Sequence, residues 1–186
     1  MHALGGSLIK KHQLLTARQI ASPNFSERTG DAKIEMLVIH NISLPPGQYG
    51  GGYVEALFNN SLNPDDDPYF AEIAHLTVSA HLLIDRLGQV TQFVPFDKKA
   101  WHAGASEFRG RGNCNDFSIG IELEGCDDEE FTTEQYRSLI SVTKLLMAEY
   151  SDITIAKIVG HSDIAPGRKT DPGPHFDWAY YRAQCA

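Results

Sequence analysis

Three apolar segments along the chain predict strands. Residues 33–41 (KIEMLVIHN) form a short apolar run between turn-forming residues, which is typical of a buried strand. In residues 117–125 (FSIGIELEG) apolar side chains alternate with Ser, Gly and Glu, so this strand has two different faces. Residues 78–96 contain two β-rich runs around Gly88 and predict a hairpin.

Helical patterns occur between and after these strands. Thr132 and Gln135 have the spacing of a capping box at a helix start. One stripe of this helix carries Tyr136, Leu139, Ile140, Thr143, Leu146, Met147 and Tyr150. Shorter helices are expected at residues 53–60 and 176–184. Because strands and helices alternate without strict βαβ order, the pattern favours one α/β or mixed α+β domain with helices on the faces of a central sheet.

The remaining segments are predicted to be an arm and loops, including one long polar loop at residues 97–116. Residues 1–24 are expected to form an N-terminal arm, leaving residues 25–186 as the domain. Lys10 and Lys11 follow the first short apolar stretch instead of preceding it, which is unlike a secretory signal. No run approaches the roughly 20 apolar residues of a membrane span. We therefore expect a cytoplasmic protein that does not enter a membrane.

Composition narrows the class of protein. The 186 residues are 42% hydrophobic and 22% charged, as in soluble globular domains. A net charge of −8 argues against a nucleic-acid partner, because phosphate binding needs clustered positive charge. Cys114, Cys126 and Cys185 are odd in number and form no C-x-x-C motif, which fits a reducing cytosol.

Two histidines end apolar runs. His40 closes the first predicted strand, and His161 closes a second run, IVGH. Strand ends are the usual place for active-site groups in α/β folds. A histidine that only satisfies a nearby backbone group is the simpler interpretation, and the residues alone favour it for either position.

Three charged residues have both a structural and a functional interpretation. Asp171 begins an Asp-Pro-Gly sequence, which is typical of a turn. It is either a turn residue only or a carboxylate ligand that a rigid loop holds. Lys169, two residues earlier, is an exposed lysine or a cation that stabilises an oxyanion. Glu122 lies mid-strand beside Gly120, either on a solvated face or in a cavity. In a dry cleft its pKa would rise and suit a general base.

Five motifs in this order resemble one family. They are IHNISLPPG, AHLTVSAHLLI, VPFDKKAWHAG, CNDFSIGIELEG and GHSDIAPGRKTDPGP. Together they resemble the amidase-2 group of zinc N-acetylmuramoyl-L-alanine amidases, which also contains phage-type amidases and the peptidoglycan recognition proteins. The similarity runs from about Ser22 to Arg182. It implies a mixed central sheet flanked by helices, with zinc in a surface cleft.

The resemblance assigns roles to particular residues. His40, His161 and Asp171 match the zinc ligands, Glu122 the catalytic carboxylate, and Lys169 the lysine that stabilises the transition state. Positions around the bound muramyl peptide correspond to Asn41, Tyr69, Ala100 and Trp101. A His₂Asp set leaves one zinc position open, which is the catalytic arrangement.

The resemblance also implies an activity. This is hydrolysis of the amide between (1,6-anhydro)-N-acetylmuramic acid and L-alanine, in cytosolic recycling of peptidoglycan. The expected partner is an anhydromuramyl peptide, bound by a monomer. The alternatives are an amidase for polymeric peptidoglycan, a non-catalytic muropeptide-binding module, and an unrelated zinc peptidase.

Two positions depart from the pattern of the group. Thr77 and Asn113 stand where some members carry basic residues that hold the diaminopimelate end of the peptide. Arg109 and Arg111 are candidates to replace them.

Overall fold

A six-stranded mixed sheet forms the centre of the computed structural model, which describes residues 7–186. The strands are β1 (Ile9–Lys10), β2 (Gln13–Leu14), β3 (Arg18–Gln19), β4 (Phe25–Glu27), β5 (Met36–Ile42), β6 (Leu82–Ile84), β7 (Val90–Gln92), β8 (Lys98–Ala100), β9 (Glu107–Phe108), β10 (Arg111–Gly112), β11 (Ser118–Glu124) and β12 (Ile158–Gly160). The helices are α1 (Tyr53–Phe58), α2 (Pro68–Ile73), α3 (Thr133–Glu149), α4 (His161–Ile164) and α5 (Trp178–Cys185). The main sheet has the order β12-β5-β11-β6-β7-β3, which confirms the predicted mixed class.

The two longest strands, β5 and β11, are parallel neighbours in the middle of this sheet. All seven residues of β11 are buried, as are the first five of β5. Strands covered on both faces are rich in apolar residues, which is why these two segments stand out in the sequence. Their register pairs Glu122 with His40, so both side chains project from the same face.

The two faces of these strands have different roles. The face opposite Glu122 and His40 packs against α3 and α5 through a continuous apolar core. From β5 and β11 this core takes Leu37, Ile39, Ile119, Ile121 and Leu123. The capping box at Thr132 and Gln135 is present at the start of α3, as predicted. Phe117, which directly precedes β11, is not part of this core. It packs with Met36 and Val38 on the other face of the sheet.

The segment before Pro23 packs onto the sheet. Ile9 and Leu14, on the β1–β2 hairpin, are almost fully buried in the main core, and β3 extends the sheet beside β7. The described part of the expected arm therefore shares its core with the domain. Residues 1–6 lie outside the range that the structure describes. The boundary at residue 24 remains a prediction.

Several expected loops contain regular structure. Residues 97–116, expected as one long polar loop, contain β8, β9, β10 and a 3₁₀ turn. The helix α2, which the sequence pattern did not predict, begins after Asp67, whose carboxylate accepts a hydrogen bond from the Tyr69 N–H. Among residues 7–186, no helix has the length and apolarity needed to cross a membrane.

Candidate metal centre and cleft

Two histidines and an aspartate converge at the carboxyl ends of the neighbouring strands β5 and β12. His40 comes from β5, His161 is the first residue of α4 directly after β12, and Asp171 lies in the following loop. Nδ1 of His40 and Nδ1 of His161 are 3.0 Å apart, and they lie 3.0 and 3.1 Å from Oδ2 of Asp171. Because β12 and β5 are parallel neighbours, their carboxyl ends bring the two imidazoles together.

The donor chemistry of this group suits a metal ion. Nε2 of His161 lies 3.0 Å from the carbonyl oxygen of Ala103, which can only accept a hydrogen bond, so Nε2 carries the proton. In the neutral imidazole the lone pair is then on Nδ1, which faces His40 and Asp171. Imidazole nitrogen with carboxylate oxygen is a ligand set that Zn²⁺ accepts, and three protein ligands leave a position open. The residues present therefore fit the zinc that the sequence analysis expects.

Burial and neighbouring groups shift the pKa values of His40 and Asp171. Burial lowers the pKa of His40, although Asp171 acts in the opposite direction. The lowered pKa favours the neutral imidazole that metal binding needs. Burial alone would raise the pKa of Asp171, but hydrogen bonds with His161 and His40 hold it well below its usual value. The site thus offers a neutral His40 imidazole and the Asp171 carboxylate to a metal ion.

Glu122 lies in the same cleft on the strand next to His40. It is only 8% exposed, and its Oε2 is buried with no hydrogen-bond partner among the described residues. Burial raises the pKa of Glu122 well above its ordinary value, the charge of Asp171 raises it further, and Lys169 opposes both effects. Of the two interpretations of Glu122, the structure therefore supports the cavity.

The cleft around these groups has a volume of about 560 Å³. The exposed side chain of Lys169 lines it, as do Asn41, Tyr69 and Trp101. Nδ2 of Asn41 donates to Asp127 at 2.7 Å. The indole N–H of Trp101 donates to Ser26 at 3.2 Å, which fixes the ring at the cleft wall.

Ala100 is the one predicted substrate-binding position that the structure does not bring to the cleft. It is fully buried in an apolar cluster behind the wall. Its side chain packs behind the wall where the next residue, half-buried Trp101, lines the cleft.

The two arginines suggested for the peptide end also lie elsewhere. Arg111 pairs with Glu35 and stacks over the Phe117 ring, 3.8 Å from its centroid. Arg109 stacks over Phe108. Neither lines the cleft, whereas Arg168 does, with one guanidinium nitrogen donating at 2.7 Å to the carbonyl oxygens of Ala103 and Ala105.

No sequence pattern indicates the residues that contact His40 on the side away from the candidate metal group. Nε2 of His40 lies 2.9 Å from Nδ1 of His102, and Nε2 of His102 lies 3.1 Å from the Ser118 hydroxyl. The available signal is Gly120, which has no Cβ and so leaves space beside Glu122 on β11. The His102 ring occupies that space, since a Cβ on Gly120 would lie 2.4 Å from it.

Comparisons with known proteins identify the family of this chain. The sequence model of Amidase_2, described as N-acetylmuramoyl-L-alanine amidase, matches residues 30–174. This chain belongs to the Amidase_2 family. The matched range includes every residue of the candidate metal group, together with Glu122 and Lys169.

Individual members of the Amidase_2 family are similar over most of the chain. The 1,6-anhydro-N-acetylmuramyl-L-alanine amidase AmpD of Salmonella typhimurium (strain SL1344) is 55% identical over 176 residues, which is 95% of this chain and 94% of that protein. A crystal structure of a selenomethionine derivative of AmpD superposes with a TM-score of 0.94 at 52% identity, covering 96% of this chain and 99% of the other.

A second similar structure was determined with a ligand. It is the complex of the N-acetylmuramyl-L-alanine amidase AmiD from E. coli with the substrate anhydro-N-acetylmuramic acid-L-Ala-D-γ-Glu-L-Lys. It has a TM-score of 0.61 and 30% identity, and the match covers 87% of this chain and 65% of that one. The fold that surrounds the cleft is therefore shared with an amidase whose substrate is an anhydromuropeptide.

Proposed function

We propose that this chain is a zinc-dependent amidase that hydrolyses the bond between (1,6-anhydro)-N-acetylmuramic acid and L-alanine in muropeptides. One observation carries the proposal. A buried carboxyl with an unpaired oxygen, Glu122, faces the same cleft as a converging His–His–Asp group. This combination is typical of a metal site with a general base beside it.

His40, His161 and Asp171 would hold the zinc ion. When bound, zinc supplies Lewis-acid polarisation of a carbonyl oxygen and lowers the pKa of a water molecule toward neutrality. The backbone placement of the two histidines supports this assignment, because His40 lies on β5 and His161 directly follows β12, its parallel neighbour in the main sheet.

Glu122 would act as general base and then as general acid. A raised pKa brings a carboxyl closer to the working pH, so that it takes a proton from the attacking water and returns it to the departing L-Ala amine. Because its Oε2 has no hydrogen-bond partner within residues 7–186, that oxygen is free to pair with the water.

Lys169 and the cleft walls would complete the site. The Lys169 ammonium lies close enough to Glu122 and His40 to affect the pKa of each, so its positive charge is available to a developing oxyanion. Asn41, Tyr69 and Trp101 offer an amide, a phenol and an indole ring to the sugar and the first peptide units.

We propose further that the substrate is a soluble anhydromuropeptide in the cytoplasm. The names of the similar amidases and the ligand of the AmiD complex support the anhydromuramyl group. The three unpaired cysteines, two of them buried, support a reducing compartment. We expect a monomer, with neither nucleic acid nor membrane as a partner.

The substrate is tested by assaying purified enzyme on anhydromuramyl-tripeptide and, in parallel, on intact sacculi. The proposal predicts faster release of peptide from the soluble compound. Preference for sacculi would instead indicate an amidase for polymeric peptidoglycan, and binding of the soluble compound without cleavage would indicate a binding module. Cleavage of a stem peptide lacking the muramyl group would favour an unrelated peptidase.

The ligand set has its own control. Asp171→Ala should lose both zinc and activity, whereas Asp128→Ala, an exposed acidic residue outside the cleft lining, should retain both. Unchanged zinc content in Asp171→Ala would remove Asp171 from the ligand set.

A further inference from the structure

His40 has a second hydrogen-bonding nitrogen that points away from the metal group. Its Nε2 lies 2.9 Å from Nδ1 of His102. Nε2 of His102 lies 3.1 Å from the hydroxyl oxygen of Ser118, and that hydroxyl lies 2.7 Å from the carbonyl oxygen of Cys114. These groups form a chain of hydrogen bonds that runs from His40 into the protein.

The Cys114 carbonyl oxygen, at the end of this series of hydrogen bonds, fixes the direction of each bond in the series. The Cys114 carbonyl can only accept, so the single Ser118 hydroxyl proton goes to it. The Ser118 oxygen is then an acceptor for the N–H at Nε2 of His102. In a neutral His102 the other nitrogen, Nδ1, carries a lone pair and accepts the N–H at Nε2 of His40. The Nδ1 lone pair of His40 is thereby left facing His161 and Asp171.

Packing and backbone contacts hold the His102 ring in this place. An added Cβ at Gly120 would come within 2.4 to 2.6 Å of three atoms of the ring, so the close approach requires glycine there. The backbone N–H groups of His102 and Ala103 both donate to Oδ1 of Asn115, at 3.2 and 2.8 Å. The next carbonyl, that of Ala103, accepts from His161. Residues 102 and 103 therefore contact the outer nitrogens of both candidate metal histidines.

We infer that His102 is a positioning residue, which holds His40 in the Nε2-protonated tautomer and so presents Nδ1 to the metal ion. Ser118 orients His102 in turn. The inference rests on the proposed function, because it requires His40 to bind zinc. Partners of this kind orient the ring and raise the basicity of the ligand, and their loss typically costs about 10- to 100-fold in metal affinity.

Two near-isosteric substitutions separate the hydrogen bond from the packing of the ring. His102→Asn places a carbonyl oxygen where Nδ1 lies, whereas His102→Leu places a methyl group there. Zinc affinity is measured for each full-length variant by competition with a chromophoric chelator. His12→Leu, an exposed histidine that contacts Tyr150 instead, is the matched control.

The expected result is zinc affinity about 10- to 100-fold weaker in His102→Leu, most of the parent affinity in His102→Asn, and no change in His12→Leu. NMR provides a second readout that stability alone would not change. In the zinc-loaded parent the His40 Nε2–H proton should resonate downfield and exchange slowly. It should remain so in the Asn variant and shift upfield in the Leu variant.

Equal affinity in parent and His102→Leu, with an unchanged His40 N–H signal, would overturn the inference. So would equal losses in the Leu and Asn variants, because then the ring acts through packing. If His102→Leu does not fold, Ser118→Ala tests the next bond of the same chain and should weaken zinc binding to a smaller extent; parent affinity there would also count against the inference. A parent protein that binds no zinc would contradict the proposed function itself.

Discussion

The carboxyl of Glu122 is in an environment that costs the fold free energy. It is buried, its Oε2 is unpaired within the described chain, and Asp171 adds a like charge nearby. Burying a carboxylate without a partner is unfavourable, so folded proteins keep such groups mainly where function requires them. Glu122 is therefore where stability and activity are expected to oppose one another.

Glu122→Gln tests this opposition in metal-free protein. Because the folded pKa of Glu122 is raised, the folded chain binds its proton more tightly than the unfolded chain does. The free energy of unfolding of the parent should then fall as pH rises above about 4.5. The Gln variant lacks this titration, so it should be more stable than the parent at neutral pH, with the difference shrinking toward pH 4.

The comparison is made by chemical denaturation across this pH range. The same variant should keep zinc but lose about 10²- to 10⁴-fold in hydrolysis, the usual contribution of a general base. Equal stability at all pH values would contradict the buried environment of Glu122, and full activity would remove it as the proposed base.

At the residue scale the sequence reveals the candidate residues but does not decide between their structural and functional interpretations. His40 and His161 are 121 positions apart, and a capping role was the simpler interpretation of either alone. Strand pairing brings them together, and no periodicity in one sequence reveals strand pairing. His102 was missed for the same reason, because its contacts with His40 and Ser118 connect separate elements.

At the scale of elements, one close contact distinguishes β11, that of the His102 ring with the backbone at Gly120. Gly120 lets the His102 ring lie against the strand, two residues before Glu122. The alternation of β11 was predictable, whereas the identity of the side chain that fills the space at Gly120 was not. The capping box of α3 was also predictable, since both of its hydrogen bonds join residues three positions apart.

Gly120→Ala should push the His102 ring away from His40. Overpacking of this kind costs about 1–3 kcal/mol of stability, and we expect zinc affinity to fall with it. Gly112→Ala is the control, because a Cβ there meets only the Ser106 carbonyl oxygen at 3.8 Å. Thermal unfolding and chelator competition measure the two effects, and unchanged zinc affinity in a folded Gly120→Ala protein would contradict the role given to this glycine.

At the scale of the whole molecule, the first part of the chain contributes to the main core. Ile9 and Leu14 pack with residues of the central strands, although the sequence pattern there predicts only an arm. The strands β1, β2 and β3 have two residues each, which is too short for alternation to be recognised. Their burial depends on tertiary contacts with distant parts of the chain.

Leu14→Ala should therefore destabilise the protein by about 2–5 kcal/mol, as truncation of a buried leucine does. Leu15→Ala is a matched control one residue away, where the side chain is 54% exposed, and it should change stability little. Both are measured by denaturant unfolding of metal-free protein. Equal, small effects would show that residues 1–24 behave as a separate arm.

The central claim, a zinc amidase built on His40, His161 and Asp171, is tested most directly by metal content together with hydrolysis of anhydromuramyl-tripeptide. Both are measured before chelation, after chelation and after zinc is restored. We predict one zinc ion per chain, loss of activity to the chelator and recovery with zinc. Hydrolysis that persists in zinc-free protein would contradict the account.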